Sequence, residues 1–407
     1  MKSVGLGRWG IAGVGSVGAI VLCVACAADG GVGGNPGFVP DEGGANQQGN
    51  VEGGASGDGG GAGGGGSEGG GGSEGGAGGD GGGGGSAAVP CGTAFCRADQ
   101  TCMGNLCQAA TCVGPSVPGD YATISAAIAA LANTGADVTI CLKAQTYPAS
   151  SFTIADNANH QKNFKLVGVS ADATIIQGAV TLSTGFASAS ISNVTIDGQA
   201  SYALQASNVP TTFTLSASRL RGSSTTTLYN FGSITFDGVD VQPAQTSGYA
   251  IQISAQNASN ASHFVLKNSY VHDAAYGVYT SSVQTVDVMN NTLLNCQNGI
   301  YGAGGGALNY WNNVIAKSTA NGVSVQSPVT VTHGNNALWG NVTNYAGLAV
   351  AGAGYVTTDC NLDTHAPPAL GASSPCKHAG DPMHAPTVDY YDVTRNAPVD
   401  IGAVETP

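Results

Sequence analysis

Charged side chains make up only 9% of this sequence, and the most regular of them recur at one position of a repeating segment. Along the chain this position holds Asp197, Arg221, Gln242, His272, Asn295 and Lys317, and the position two residues earlier includes Arg219 and Asp240. Arginine holds a carboxylate through two parallel hydrogen bonds, and planar polar groups suit sugar hydroxyls. We therefore predict a carbohydrate-binding surface built from Asp197, Arg219, Arg221, Asp240 and His272.

A second row is aromatic. Tyr279 and Tyr301 each lie two residues after a glycine of the repeat, and exposed rings can lie against flat apolar faces of sugars. Both rows also have a plainer interpretation. Surface charges that only pair with each other contribute little to stability, and the tyrosines can simply cover the edge of the repeat. The sequence leaves these alternatives open.

Catalytic motifs are not found in this sequence. Outside its low-complexity glycines it has no phosphate-binding P-loop, no GxSxG nucleophile turn, no HExxH helix and no EF-hand string. His272 and Asp273 form a plausible pair, but no nucleophile or cluster of metal ligands accompanies them. We therefore predict no metal site and favour binding over catalysis.

The elements that must position these residues come from a short repeat. The segments LKNSYVHDAAYGVY, MNNTLLNCQNGIY and WNNVIAKSTANGVS align between Asn268, Asn291 and Asn313, and again between Gly277, Gly299 and Gly322. A repeat of about 22 residues cannot close its own core and must stack on its neighbours as a solenoid. The expected core consists of Ile191, Leu220, Val241, Val271, Val278, Leu294, Ile300 and Val323.

Distinct segments flank the repeat. Ile124, Ala127, Ile128 and Leu131 have helical spacing, and we expect this helix to cover the open end of the stack. At the other end, Arg395 precedes the string VDIGAVE at 399–405. We expect Arg395 to form a structural ion pair with Asp400 or Glu405.

The coil period, the Asn turns, the helix and this ending resemble the right-handed parallel β-helices of the pectin-lyase-like superfamily, over residues 120–405. The resemblance implies an all-β, right-handed parallel β-helix at 113–380 that is closed by residues 381–407. The superfamily includes polysaccharide lyases and glycoside hydrolases, which gives the enzymatic alternative.

The enzymatic alternative requires the catalytic residues of the lyases and hydrolases in this superfamily. A lyase of the pectate-lyase type needs carboxylates that hold calcium and an Arg or Lys base, and the comparable set here is Asp197, Asp237, Asp240, Arg219 and Arg221. The hydrolase strings Asn-Thr-Asp, Asp-Asp, Gly-His-Gly and Arg-Ile-Lys are absent. We therefore expect binding of a polysaccharide or another extracellular partner without a cofactor, and calcium only if the protein is a lyase.

The N-terminus predicts export. Lys2 and Arg8 precede an apolar run that is too short to span a bilayer comfortably. Its end, Val24-Ala25-Cys26, resembles a bacterial lipoprotein processing site, although Cys23 stands where that family has an aliphatic residue. The resemblance implies a signal peptide at 1–26, acylation of Cys26 and anchoring to the cell envelope, at the outer membrane or cell surface. An ordinary cleaved signal peptide is the alternative.

Residues 27–89 are almost entirely glycine with small and acidic residues, so they have no apolar surface with which to fold and form a disordered linker. The chain carries 25 acidic and 12 basic residues. From Cys91 onward there are 17 acidic and 10 basic residues. This mild negative balance argues against nucleic acid as a partner.

The cysteines predict an oxidising compartment. Five of them lie close together at 90–112 without zinc spacing, and this module resembles small Cys-rich repeats that precede globular domains in secreted bacterial proteins. The connectivity stays open in the sequence. The pairs we propose are Cys91–Cys102, Cys96–Cys107, Cys112–Cys141 and Cys360–Cys376, which leaves Cys296 without a partner.

Overall fold

The computed structural model describes residues 89–406, except 92–93, 98–99, 104–105, 110–111, 132–133, 157–160 and 256–261. The predicted signal peptide, Cys26 and nearly all of the glycine-rich linker lie outside the described residues. In the part of the chain that is described, no helix combines the length and the apolar character needed to cross a membrane.

The Cys-rich module consists of two antiparallel pairs of strands. Its strands are β1 (Val89–Cys91), β2 (Ala94–Cys96), β3 (Gln100–Met103) and β4 (Leu106–Ala109), and β1 pairs with β2 while β3 pairs with β4. The structure contains the four disulfides predicted from the sequence, which are Cys91–Cys102, Cys96–Cys107, Cys112–Cys141 and Cys360–Cys376. Cys296 is free and fully buried, and burial raises the pKa of its thiol to about 12, so it stays protonated.

The repeat region is built from short strands. Its first part contains β5 (Ser116–Val117), α1 (Ile124–Leu131), β6 (Val138–Leu142), β7 (Gln145–Tyr147), β8 (Phe152–Ile154), β9 (Asn163–Val167), β10 (Thr174–Gln177), β11 (Val180–Leu182), β12 (Ser188–Ser192), β13 (Thr195–Asp197), β14 (Tyr202–Ser216), β15 (Arg219–Gly222), β16 (Ser224–Asp237) and β17 (Asp240–Pro243). Its second part contains β18 (Tyr249–Ser254), β19 (His263–Lys267), β20 (Tyr270–His272), β21 (Tyr276–Ser281), β22 (Thr285–Met289), β23 (Thr292–Leu294), β24 (Asn298–Ala303), β25 (Ala307–Trp311), β26 (Val314–Ala316), β27 (Asn321–Val325), β28 (Thr330–Gly334), β29 (Ala337–Trp339) and β30 (Thr343–Gly347), followed by a 3-10 turn at Pro382–His384.

These strands wind into coils with three sides. The strands β7, β10, β13, β15, β17, β20, β23, β26 and β29 form a nine-stranded parallel sheet, which we call face A. The other seventeen strands form one sheet that is continuous through the long strands β14 and β16. One side of it, which includes β18, β21, β24, β27 and β30, is called face B, and the remaining side is face C. The fold is a parallel β-helix, as predicted.

The core lies inside the coils because strand side chains alternate between the two surfaces of a sheet. Val241 and Val271 of face A and Val278, Ile300 and Val323 of face B are completely buried, as predicted. Helix α1 contributes Ile124, Ala127 and Ile128 to the same core. The buried ammonium group of Lys162 donates to the carbonyl oxygen of Leu131, at the end of α1, over 3.0 Å.

One predicted register is wrong by a single residue. The strand pairing sets Val271 against Leu293 and His272 against Leu294, so Leu293 occupies the core position that was assigned to Leu294. Two consecutive asparagines caused the error. Asn268 corresponds to Asn290, which has the same positive φ, whereas the sequence alignment had matched Asn268 with Asn291.

The second asparagine of each pair builds a ladder between coils. Asn313 Oδ1 accepts from both the backbone N–H and Nδ2 of Asn291, over 3.0 Å each. Asn313 Nδ2 donates to Val288 O at 2.8 Å and to Asn336 Oδ1 at 3.0 Å. All three asparagines are fully buried. The ladder therefore satisfies amide groups that would be costly to bury alone.

After the last coil the chain returns along face A, and residues 357–406 are called the returning segment. The outward side chains Tyr270, Leu294, Val314, Ala316, Ala337 and Trp339 of face A are buried with Cys360, Leu370, Cys376 and Ile401 of the returning segment, and together these residues form the outer cluster. Gly402 donates from its backbone to Asn312 O at 2.8 Å. Arg395 forms the expected ion pair with Glu405, at 2.8 Å.

Candidate functional site

Four of the five predicted charged residues meet on face A. Asp240 Oδ2 lies 2.6 Å from Arg221 Nη2 and 3.4 Å from Arg219 Nε. Asp240 Oδ1 lies 3.1 Å from His272 Nε2, and His272 Nδ1 lies 2.7 Å from Asp273 Oδ2. The strands β15, β17 and β20 place these side chains on adjacent coils of the stack. The residues therefore form a hydrogen-bonded charge network centred on Asp240.

The remaining predicted members lie elsewhere. Asp197 aligns with Arg221 in the sheet, but its carboxylate accepts from the backbone and the side chain of Gln199, at 2.9 and 3.0 Å. Asn295 and Lys317 do not belong to the row, because the register error had shifted them by one residue. Leu294 and Ala316 take those places, so the outward row of face A changes from charged to apolar along the stack.

Asp240 is not solvent-facing, which corrects the prediction for this residue: it is only 5% exposed. Burial alone would raise the pKa of its carboxyl. The hydrogen bond from His272 and the charge of Arg221 outweigh burial and hold this pKa at about 2. The network is thus internally satisfied, and its geometry supports a structural role at Asp240.

Asp240 should make the stability of the protein fall in acid. The pKa of its carboxyl is about 2 in the folded protein, below the ordinary value of 3.8 for aspartate. The stabilisation is therefore complete above pH 4 and is lost as the pH falls from about 4 to 2, by roughly 2 kcal/mol. We expect the free energy of unfolding, measured in urea at a series of pH values, to depend less steeply on pH over this window in Asp240→Asn. An unchanged slope would contradict the assignment.

The returning segment and the Cys-rich module cover part of this network. Arg97 of the module donates from Nε and Nη2 to the carboxylate of Asp392, at 2.8 and 2.6 Å, and from Nη1 to Tyr390 O at 2.6 Å. A side-chain carbon at Gly238, whose φ is +62°, would lie 2.1 Å from Arg97 Nη1. Glycine at this turn therefore provides both the left-handed backbone and the space for the guanidinium group.

The predicted tyrosines belong to a larger aromatic group on face B. Tyr279 and Tyr301 are stacked, with ring centres 5.4 Å apart and planes at 4°. Tyr249 and Tyr276 form a second stacked pair at 4.9 Å and 8°. The two pairs are nearly perpendicular to each other, with Tyr276 and Tyr279 at 81°. These four half-buried residues are called the tyrosine surface.

The carboxylates considered for a calcium site are dispersed. Asp237 pairs with Lys267 at 3.1 Å and accepts from Asn268 at 2.9 Å, away from the bonds that Asp240 makes. Within the described part of the chain, the one group of potential metal ligands is Cys91, Cys96 and Cys107, and each of these cysteines is in a disulfide.

Sequence reasoning missed several residues at these surfaces. Tyr249 and Tyr276 sit one position before Ala250 and Gly277 in the face B strands, and the glycine alignment could have located Tyr276. No sequence pattern predicted that Arg97, Asp172 and Tyr390 would lie near this site. They belong to the Cys-rich module, a loop and the returning segment, which are far apart in the chain.

Comparisons with known proteins give fold-level similarity. No protein-family model matches the chain, and no curated protein matches it. Among solved structures, a pectate lyase shares 14% identity, with 72% of this chain and 96% of that chain covered and a TM-score of 0.45. A pectin methylesterase from Erwinia chrysanthemi shares 14% identity, with coverage of 60% and 92% and a TM-score of 0.33.

A pectin methylesterase from Aspergillus niger shares 13% identity, with coverage of 62% and 87% and a TM-score of 0.27. All three TM-scores lie below 0.5, so the class of the protein follows from its own strand register. The protein is a parallel β-helix.

Proposed function

We propose that this protein binds polysaccharide, without catalysis, through the tyrosine surface on face B. The observation that carries the proposal is the group of four half-exposed tyrosines that stack on adjacent strands of face B. Tyrosine rings offer an apolar face and a hydroxyl group together, which suits a sugar ring with its apolar and polar sides. The coils repeat about every 4.8 Å, so the paired rings can follow an extended chain that lies along the stack.

The tyrosine surface can be tested by truncating its stacked pair. We expect the double change Tyr279→Ala with Tyr301→Ala to weaken polysaccharide binding at least about tenfold, since truncating central aromatic residues commonly costs more than 1.4 kcal/mol. Binding is measured by calorimetry or affinity electrophoresis against soluble pectins, glucans and mannans. Tyr229→Ala is the matched control on the same face, in a strand position outside the group.

Two outcomes would overturn this proposal. Equal binding by the double variant and by the Tyr229→Ala control would remove the tyrosine surface as the site. Release of unsaturated uronides from pectate by the intact protein with calcium would instead establish the lyase alternative.

The location of the protein is also proposed. The apolar run that ends at Ala25-Cys26, followed by the glycine-rich segment, supports export and acylation of Cys26, with a linker that holds the domain away from the cell envelope. Cys26→Ser should move the protein from the membrane fraction to the soluble fraction and abolish labelling by fatty acid. Labelled fatty acid retained in the variant would contradict anchoring at this residue.

A further inference from the structure

A cleft of about 270 Å³ lies where three parts of the chain meet. The Cys-rich module contributes Arg97 and Gln100, the coil stack contributes Asp172 and Arg219, and the returning segment contributes Tyr390. Ligand pockets commonly measure roughly 300–1,000 Å³. At about 270 Å³ this cleft lies just below that range, so it suits a small ligand of about one sugar unit.

The walls of the cleft are held in place by contacts between these parts. Arg97 donates hydrogen bonds from two nitrogens to the carboxylate of Asp392. Gln100 Nε2 donates to Asn193 Oδ1 at 3.0 Å. Arg97 is only 8% exposed. Disulfides close the module, and hydrogen bonds fix it to the coil stack and to the returning segment. The cleft is therefore preformed, which lowers the entropic cost of binding a ligand.

Three polar atoms at the cleft lack a hydrogen-bond partner among the described residues. Asp172 accepts from Arg219 Nη1 through Oδ1 alone, which leaves Oδ2 available. Arg219 Nη2 and the Tyr390 hydroxyl have no partner in the described parts of the chain either. Burial raises the pKa of Tyr390 to about 12, so its hydroxyl keeps its proton. The cleft thus presents an acceptor, a donor and a hydroxyl that can do both.

The charges around the cleft favour a neutral ligand. The Arg219 guanidinium lies between the carboxylates of Asp172 and Asp240, and that of Arg97 faces Asp392. Neither arginine has an uncompensated charge to offer a carboxylate or a phosphate. A carboxylate and a guanidinium side by side match two neighbouring hydroxyl groups, one of which donates while the other accepts.

We propose that this cleft binds a single neutral sugar unit, such as the end of a glycan chain. Asp172 accepts a hydrogen bond from one hydroxyl, Arg219 donates to its neighbour, and the Tyr390 hydroxyl contacts a third polar group of the sugar. The site is separate from the tyrosine surface, because it is built on face A and the module. Its ligand is a chain end, whereas the tyrosine surface follows the length of a chain.

The probes for this site are the methyl glycosides of glucose, galactose and mannose, with glucuronate and galacturonate as charged counterparts. We expect at least one methyl glycoside to bind the whole protein in a nuclear magnetic resonance titration. Tyr390→Phe, which removes one oxygen atom, should weaken its binding up to about tenfold, and Asp172→Asn should weaken it about tenfold or more. Tyr229→Phe should leave it unchanged.

Several outcomes separate this site from the alternatives. The Tyr279→Ala, Tyr301→Ala variant should keep wild-type affinity for the methyl glycoside, so failure of one proposal does not decide the other. The cleft is overturned if no methyl glycoside binds, or if Tyr390→Phe and Asp172→Asn both retain wild-type affinity. Tighter binding of the uronates than of the neutral glycosides would overturn the class of ligand.

Discussion

Replacing Asn313 by Asp is expected to destabilise the protein by roughly 2–6 kcal/mol, because two buried groups each lose a donor at a cost of about 1–3 kcal/mol. The side chain keeps its shape but can no longer donate to the Val288 carbonyl or to Asn336 Oδ1, which it now contacts at 2.8 and 3.0 Å. A buried carboxylate would face two oxygen atoms. The free energy of unfolding in urea at neutral pH measures the loss.

The matched control for this substitution is Asn208→Asp. Asn208 is exposed and has a positive φ of 55°, and its side-chain oxygen accepts from Asn230 at 3.1 Å. Aspartate can do the same at this site, so we expect little change in stability. Equal stability of the two variants would show that the ladder does not contribute to the fold. Lowering the pH should partly restore the Asn313 variant, since protonation removes the buried charge.

Replacing Arg395 by Met is expected to destabilise the returning segment by about 3–5 kcal/mol, the usual cost of removing one partner of a buried ion pair. Arg395 is 7% exposed. It pairs with Glu405 at 2.8 Å and donates to the carbonyl oxygens of Gly402 and Ala403, each at 3.0 Å. It also reaches Asn268 Oδ1 at 3.3 Å, so the same side chain ties the segment to a coil. Methionine fills a similar volume but supplies none of these donors.

Limited proteolysis and urea unfolding together measure this effect. Residues 380–406 should become sensitive to protease in the variant before the coils unfold. Lys317→Met removes an exposed cation from the turn that follows β26 and should behave like wild type. A variant of Arg395 with wild-type unfolding and a protected C-terminal segment would contradict the role assigned to this arginine.

Periodicity predicted most of the coil stack. Gly277, Gly299 and Gly322 take equivalent positions in adjacent strands, and the core positions Val278, Ile300 and Val323 stack as expected. The register at Leu294 was wrong because an asparagine of the turn and an asparagine of the ladder are adjacent in the chain. The first is selected by a left-handed backbone and the second by its hydrogen bonds, and a pattern of residue types does not separate these two causes.

The candidate sites were predictable only in part. Asp240, Arg219, Arg221 and His272 meet because strand register brings equal repeat positions together, and this was visible in the sequence. The sequence did not predict that other parts of the chain cover these four residues. Tyr390 and Arg97 lie more than 100 residues away from them in the sequence, and no local pattern predicts contacts over such a distance. The pairing of Arg395 was found because a short motif contains both partners.

The outer cluster has a consequence for the order in which the chain is made. Tyr270, Leu294 and Trp339 of the coils are covered by Leu370 and Ile401, which are synthesised later. A chain released before the returning segment is made would therefore complete its coils but leave a strip of apolar side chains uncovered along one side. Such strips promote association between molecules. Solubility therefore depends on synthesis of the returning segment, and products that lack this segment would expose an apolar surface.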